Sequence, residues 1–331
     1  LLHRMIGSEE VYRATMSYLD WRVYGFFFSF IAVMFRAFYV STTNTKILTA
    51  NSVVMVLTNV VLNYILIFGK FGFPALGIAG AAIASSISEA VSVLFFVIYT
   101  WKKIDYKKYG LFRFTRVDFR MLGQILSVSI WVMIQHGIAF GGWFIFFIAM
   151  EHLGERPLAI TNVVRSISSF LFMFVNAFAS TNSSLVSNLI GAGESDRVLP
   201  LCRRMIGLCY AFVLPIGILI AMFPSTVLRI YTDNPDLIAS SIPSLWVMLS
   251  SYLFAVPGFI YFFSVSGTGN TRRALEIDMA SIFVYVLYIL YVAVWLRADV
   301  AVCWTTEYVY NIMILSSFFY LWKGNWRNKK I

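Results

Sequence analysis

Long apolar runs separated by short polar segments make up most of this chain. A helix needs about 20 mostly apolar residues to cross the hydrocarbon core of a bilayer, and nine windows meet that requirement. They lie near residues 23–40, 47–68, 77–101, 122–150, 158–190, 201–223, 242–265, 275–296 and 301–322. The pattern therefore predicts an all-α integral membrane protein with about nine complete transmembrane helices.

Composition supports this interpretation. Of the 331 residues, 60% are hydrophobic and only 13% are charged, and the mean hydropathy is +0.77. A soluble domain carries about twice that share of charged residues, so these values indicate that lipid surrounds the chain.

Residues 1–67 and 227–293 align without a gap, which indicates an internal repeat. The clearest landmark is Thr42-x-Asn44-Thr45-Lys46, which matches residues 268–272, and in both copies Asn and Thr are expected to cap the next helix. Two repeats imply two lobes of six helices, so we expect that about three helices, on the order of a hundred residues, precede residue 1.

The repeat and the charge pattern together predict the domain organisation. Residues 1–101 are expected to form the C-terminal half of the N-lobe, from the end of helix 3 through helices 4–6. Residues 102–120 form a cytoplasmic inter-lobe linker, residues 121–322 form the C-lobe with helices 7–12, and residues 323–331 form a basic cytoplasmic tail.

The net charge of +10 follows membrane topology rather than nucleic-acid binding. Of the 26 Lys and Arg residues, 17 lie on one side of the predicted spans, among them the 102–120 segment and the C-terminal tail. Short loops rich in Lys and Arg stay in the cytoplasm. The sequence thus predicts a multi-pass protein of the cell membrane with a cytoplasmic C-terminus.

Polar residues within the first three spans are candidates for coupling to a cation. Asn59 and Asn63 are four residues apart and share one helix face, where their oxygens suit a hard cation such as Na⁺ or form interhelical hydrogen bonds. Ser85 either allows close helix approach or serves as a ligand. Glu89 is either paired with Arg22 or Arg36, or acts in a proton relay.

The second lobe offers further candidates. Gln135 and His136 lie in the middle of the fourth span, where a histidine either titrates near physiological pH or only packs. Arg165 in the fifth span is expected to pair with a carboxylate on a neighbouring helix, and contact with a substrate is the alternative.

Aromatic residues make up 18% of the chain, and 13 residues are methionine. Such side chains can line a cavity for flat lipophilic cations, although most aromatic residues of a bundle face lipid or neighbouring helices. The candidates for lining a substrate cavity are Gln135, Met133, Trp143, Arg165, Met173 and Tyr252.

Enzymatic chemistry finds no support in the sequence. There is no GxSxG motif and no His, Cys or acidic cluster with metal-ligand spacing, and the three cysteines suit packing. The glycine-rich segments 191–193 and 267–269 lack the Lys-Ser/Thr pair of a phosphate-binding loop. We expect no catalytic residue, no bound metal and no cofactor.

The segments NVVLNYILIFG at 59–69 and FPALGIAGAA at 73–82 resemble the multidrug and toxic compound extrusion (MATE) family. The resemblance implies a monomeric antiporter that exports amphipathic, often cationic compounds, driven by a Na⁺ or H⁺ gradient, through alternating access of two lobes. It also implies that Asn59 and Asn63 match the cation site of the first lobe. The partner Asp of that site would lie on the first helix, before residue 1.

The sequence departs from the family pattern in the second lobe. Gln135 and His136 stand where many members carry a carboxylate in the seventh helix, and Ala255 stands where some carry an Asp in the tenth. A carboxylate site is therefore not expected in the second lobe, and coupling would fall to the first lobe or to His136. The alternatives are a flippase for lipid-linked saccharides and a membrane channel or scaffold that does not export drugs.

Overall fold

The computed structural model describes residues 9–105, 108–110, 118–324 and 326, and within these residues every regular element is helical. The chain divides into two compact units, residues 1–116 and 117–331. Eight of the described helices are long and apolar enough to cross a membrane. The predicted all-α membrane fold is confirmed.

Three helices form the described part of the first unit: α1 (Glu9–Ser41), α2 (Lys46–Phe68) and α3 (Gly77–Lys103). Helix α3 packs against both α1 and α2. Its buried face carries small residues, including Ala82, Ala84 and Ser88. Small side chains allow helix backbones to approach closely in a membrane, where packing rather than water exclusion holds helices together.

The closest approach in this unit is between Gly80 of α3 and the end of α2. A Cβ atom at Gly80 would lie 2.6 Å from the carbonyl oxygen of Leu66. Backbone atoms cannot move aside as a flexible side chain does, so only glycine fits here. This contact sets the spacing of the two helices that carry Asn59 and Ser85.

We therefore expect Gly80→Ala to lower the free energy of unfolding by about 1–3 kcal/mol, the usual cost of overpacking. Thermal unfolding in detergent micelles measures this change. Gly123→Ala is the matched control, because no atom outside its own helix lies within 4 Å of the added Cβ. The interpretation of Gly80 is wrong if Gly80→Ala is as stable as this control.

The second unit is larger. Its helices are α4 (Phe119–Leu153), α5 (Glu155–Gly191), α6 (Val198–Met222), α7 (Pro224–Leu228), α8 (Pro235–Gly267), α9 (Thr271–Ile289), α10 (Val300–Trp304), α11 (Thr306–Ile314) and α12 (Ser317–Lys323). Helix α8 lies at the centre and contacts α5, α6, α9, α10, α11 and α12, while α9 also packs against α4. The core of the unit is thus built around α8.

The ninth apolar window is not one continuous helix. Turns at Thr305 and at residues 315–316 divide it into α10, α11 and α12. The hydroxyl groups of Thr305 and Thr306 bond to the carbonyl oxygens of Val302 and Cys303, three residues earlier. Side-chain bonds of this kind compete with the backbone ladder and bend helices, so the expectation of a complete ninth helix is corrected.

The predicted capping of the two repeated turns is wrong. Thr45 and Asn270 occupy the N-cap positions of α2 and α9, but neither side chain accepts a capping hydrogen bond. The Asn270 amide instead donates to the hydroxyl of Tyr320 at 2.6 Å. A tertiary contact has replaced the local one at this turn.

Candidate functional site

Four polar side chains of α2 and α3 meet inside the first unit. The Asn63 amide nitrogen donates to Asn59 Oδ1 at 2.9 Å. The Asn59 amide nitrogen in turn faces Ser85 Oγ at 3.3 Å and Ser88 Oγ at 3.4 Å. The structure thus brings together three residues that the sequence indicated as candidates, Asn59, Asn63 and Ser85, and adds Ser88.

One oxygen of this cluster has no partner. Asn63 Oδ1 is buried and accepts no hydrogen bond within the described structure. A buried polar atom left without a partner costs about 1–3 kcal/mol. An amide oxygen that is held in place but unsatisfied is suited to ligate a cation.

Glu89 lies close by but its charge is already balanced. Arg22 Nη1 and Nη2 donate to the two carboxylate oxygens of Glu89 at 2.8 and 2.7 Å. The two side chains are 21% and 15% exposed, so this bidentate pair is largely shielded. The predicted pairing with an arginine is confirmed, and the partner is Arg22 rather than Arg36.

Gly25 makes room for this ion pair on α1. A Cβ atom there would lie 2.7 Å from Glu89 Oε2 and 2.8 Å from Ser86 Oγ. The Ser86 hydroxyl also donates to the backbone oxygen of Trp21. The arginine–glutamate pair thus joins α1 to α3 beside the amide cluster.

In the second unit, the adjacent residues Gln135 and His136 differ in exposure. Gln135 is buried on α4, whereas His136 is exposed. The Gln135 amide lies beside the carboxyl group of Asp278 on α9, and the two side chains interact. Asp278 is 2% exposed, and its Oδ1 accepts a hydrogen bond from the hydroxyl of Tyr310 on α11 at 2.9 Å.

Arg165 does not form the predicted ion pair in the described part of the chain. Its guanidinium carbon lies 4.7 Å from the ring centre of Trp143 and 4.4 Å from that of Phe147. Glu307 on α11 and Tyr285 on α9 interact with its charge at longer range. Contacts with two aromatic faces partly replace a carboxylate partner, because the π faces are electron-rich.

The remaining cavity candidates are spread over the second unit. Met133 and Met173 are 65% and 59% exposed, whereas Tyr252 is 5% exposed. The Tyr252 hydroxyl donates to the backbone oxygen of Ser168 at 2.7 Å. The structure therefore brings Trp143 and Arg165 together and places Tyr252 against α5 one turn after Arg165, whereas Met133 and Met173 are exposed.

The sequence interpretation did not single out two acidic residues of the second unit, Asp278 and Glu307. Its expectation that the second lobe lacks a carboxylate cation site stays a prediction. Asp278 and Glu307 both lie within apolar windows of the sequence. Ionisable side chains within membrane spans are costly and usually have a function, so a search of the windows for such residues would have found both. Asp278 lies on α9 and Glu307 on α11, whereas the resemblance to the family indicated positions 135 and 255 for a carboxylate.

Together, the eight described helices that are long and apolar enough to cross a membrane and the polar clusters between helices define a polytopic membrane protein. The MatE family model matches residues 1–65 and 138–292, which is more than half of the chain. The chain belongs to the MATE family.

Individual relatives agree with this assignment. A probable multidrug resistance protein NorM from Thermotoga maritima is 29% identical over 239 residues, which cover 71% of this chain and 50% of that protein. A probable multidrug resistance protein YoeA from Bacillus subtilis is 26% identical over 254 residues, which cover 76% of this chain and 55% of the relative. The chain thus spans about half the length of these relatives.

Solved structures show the same fold. A multidrug resistance MATE family transporter of the MOP superfamily in an outward-facing conformation matches with a TM-score of 0.86 and 17% identity. The match covers 97% of this chain and 71% of that structure. A MATE transporter in complex with MaL6 matches with a TM-score of 0.85, also at 17% identity.

Proposed function

We propose that this protein is a cation-coupled antiporter that exports amphipathic, often cationic compounds by alternating access. Relatives named as probable multidrug resistance proteins support the substrate class. The unpartnered Asn63 Oδ1 within the Asn59–Asn63–Ser85 cluster is the single observation that carries the coupling step. The protein would lie in the cell membrane with its C-terminus in the cytoplasm.

Coupling follows from differential affinity. A cation bound by the oxygens of Asn59, Asn63 and Ser85 would stabilise the arrangement in which these groups converge, and a drug would favour another arrangement. Glu89 would contribute no charge to the ion, because Arg22 already balances it. These neutral oxygens suit Na⁺ and take up no proton near neutral pH, so coupling to H⁺ would require a carboxyl group.

For the substrate, the proposal relies on the pair of aromatic rings around Arg165. Trp143 and Phe147 present π faces that hold a guanidinium cation 4.4–4.7 Å from their ring centres. A planar organic cation has the same charge and a similar flat shape. The rings that hold Arg165 are therefore suited to interact with such a compound.

A flippase for lipid-linked saccharides finds less support. A pyrophosphate headgroup requires several free cationic groups. Of the three arginines that the sequence places within spans, Arg22 is bound to Glu89, Arg165 is flanked by aromatic rings, and Arg36 is exposed. One such group is too few for a pyrophosphate.

Ethidium efflux from cells that express the full-length protein tests the proposal. We expect efflux that requires an inward Na⁺ or H⁺ gradient and stops when an ionophore collapses that gradient. Cells with the empty vector provide the control. Absence of ethidium and norfloxacin efflux under either gradient would refute drug export.

A further inference from the structure

Three ionisable side chains of the second unit are connected through Tyr310 and Tyr285, and their formal charges do not sum to zero. Asp278 and Glu307 are acidic, and Arg165 is basic. The charges of Glu307 and Arg165 interact with each other. Asp278 has no ion-pair partner among the described residues, because its contacts there are the neutral side chains of Tyr310 and Gln135.

A buried carboxylate without a cationic partner is costly in a medium of low polarity. Asp278 is 2% exposed, so water cannot stabilise its charge. One monovalent cation would balance the group of Asp278, Glu307 and Arg165. This charge count alone does not distinguish a proton from a metal ion.

The groups around Asp278 favour a proton. Na⁺ needs several oxygen ligands around it, whereas the two contacts of Asp278 come from a hydroxyl that donates to it and from a side-chain amide.

A free hydroxyl group next to this site supplies an independent observation. Tyr285 is 5% exposed, and its hydroxyl has no hydrogen-bond partner among the described residues. It lies two turns after Asp278 on the same face of α9, and its ring centre is 5.9 Å from that of Tyr310. Its hydroxyl also interacts with Glu307 and Arg165.

We propose that Asp278 is a proton-binding residue of this transporter, with Tyr310 as the donor that stabilises its ionised form. When Asp278 takes up a proton, its oxygen no longer requires the Tyr310 hydroxyl, and that hydroxyl becomes free to bond elsewhere. The Tyr285 hydroxyl is positioned to respond to such a change. The surrounding titratable and charged groups are Tyr310 and Glu307 on α11, Tyr285 on α9 and Arg165 on α5.

This inference rests on the proposed function, since it assigns the proton a site within the same antiporter. The site differs from the amide cluster of α2 and α3, and it lies on helices other than those that carry acids in many relatives of the family. A test that does not depend on transport therefore separates the two proposals.

Infrared spectroscopy of the purified full-length protein during a pH titration provides that test, because a protonated carboxylic acid has its own carbonyl stretching band. We expect a band that grows as the pH falls and is lost in Asp278→Asn. Asp233→Asn is the matched control: Asp233 is exposed in the loop before α8, so the band should remain.

A second variant covers the case in which Asp278→Asn does not fold. Tyr310→Phe removes the hydrogen bond to the carboxylate, so the midpoint of the band should move to higher pH by about one unit. A band unchanged in Asp278→Asn would overturn the proposal. So would the absence of any pH-dependent carbonyl band in the unmodified protein.

The two proposals fail in different ways. A purified protein that shows the Asp278 band but exports no drug supports the proton site and refutes drug export. A protein that exports ethidium but lacks the band supports export and refutes the proton site.

Discussion

Asn63→Leu is expected to raise the cation concentration that drives half-maximal ethidium efflux by about tenfold or more, while the protein still folds. The substitution removes the unpartnered Oδ1 and also the amide that donates to Asn59 Oδ1. Loss of a ligand that contributes about 1.4 kcal/mol weakens cation binding about tenfold. Loss of the hydrogen bond that orients the Asn59 side chain adds to this effect. The measurement is the cation concentration that gives half-maximal efflux in proteoliposomes.

Two variants of the same helix control this experiment. Asn63→Asp keeps an oxygen at the position, and resemblance to the family indicates that Asp is accepted there, so cation dependence should persist. Val61→Leu introduces leucine at an exposed position of α2 and should behave as the unmodified protein. If Asn63→Leu and Val61→Leu require the same cation concentration, Asn63 has no part in coupling.

The second large effect concerns the ion pair between Arg22 and Glu89. Glu89→Leu should lower the free energy of unfolding by about 3 kcal/mol, because it leaves a largely shielded guanidinium group without its partner. The pair is bidentate and the two side chains are 21% and 15% exposed, so solvent compensates little. Thermal unfolding of the purified protein in detergent measures the loss.

A double-mutant cycle identifies the cause. Arg22→Met combined with Glu89→Leu removes both charges, and we expect this double variant to be more stable than Glu89→Leu alone. A structural pair also predicts that the double variant keeps cation-dependent efflux, whereas a proton relay through Glu89 predicts its loss. Strictly additive destabilisation would show that the two charges do not stabilise each other.

Much of the first unit could be predicted from sequence because its signals are local. The window 47–68 and helix α2 (Lys46–Phe68) agree almost residue for residue, since a Gly with φ of 64° ends the helix at position 69. Asn59 and Asn63 share a face because helical geometry alone places residues i and i+4 together. Their hydrogen bond is a consequence of that geometry.

The partners of the buried charges could not be predicted in the same way. Glu89 had two candidate arginines on α1, and the choice of Arg22 depends on how α1 packs against α3 beside Gly25. In the sequence, Asp278 is a single acidic residue close to the beginning of the apolar window 275–296. Its burial, the hydroxyl of Tyr310 and the absence of a cationic partner in the described structure depend on α4, α9 and α11 together.

Sequence by itself determined that this protein is a helical membrane protein, that the first eight of its nine apolar windows form long helices, and which face of α2 carries amides. Those properties depend on the length of each hydrophobic run and on the period of the helix, and both are determined by residues that are neighbours along the chain. The tertiary structure alone decided that Arg22 balances Glu89, that Asp278 has no cationic partner among the described residues, and that Asn63 Oδ1 accepts no hydrogen bond there. The free energy of a buried polar group depends on the atoms around it, and distant parts of the chain supply those atoms.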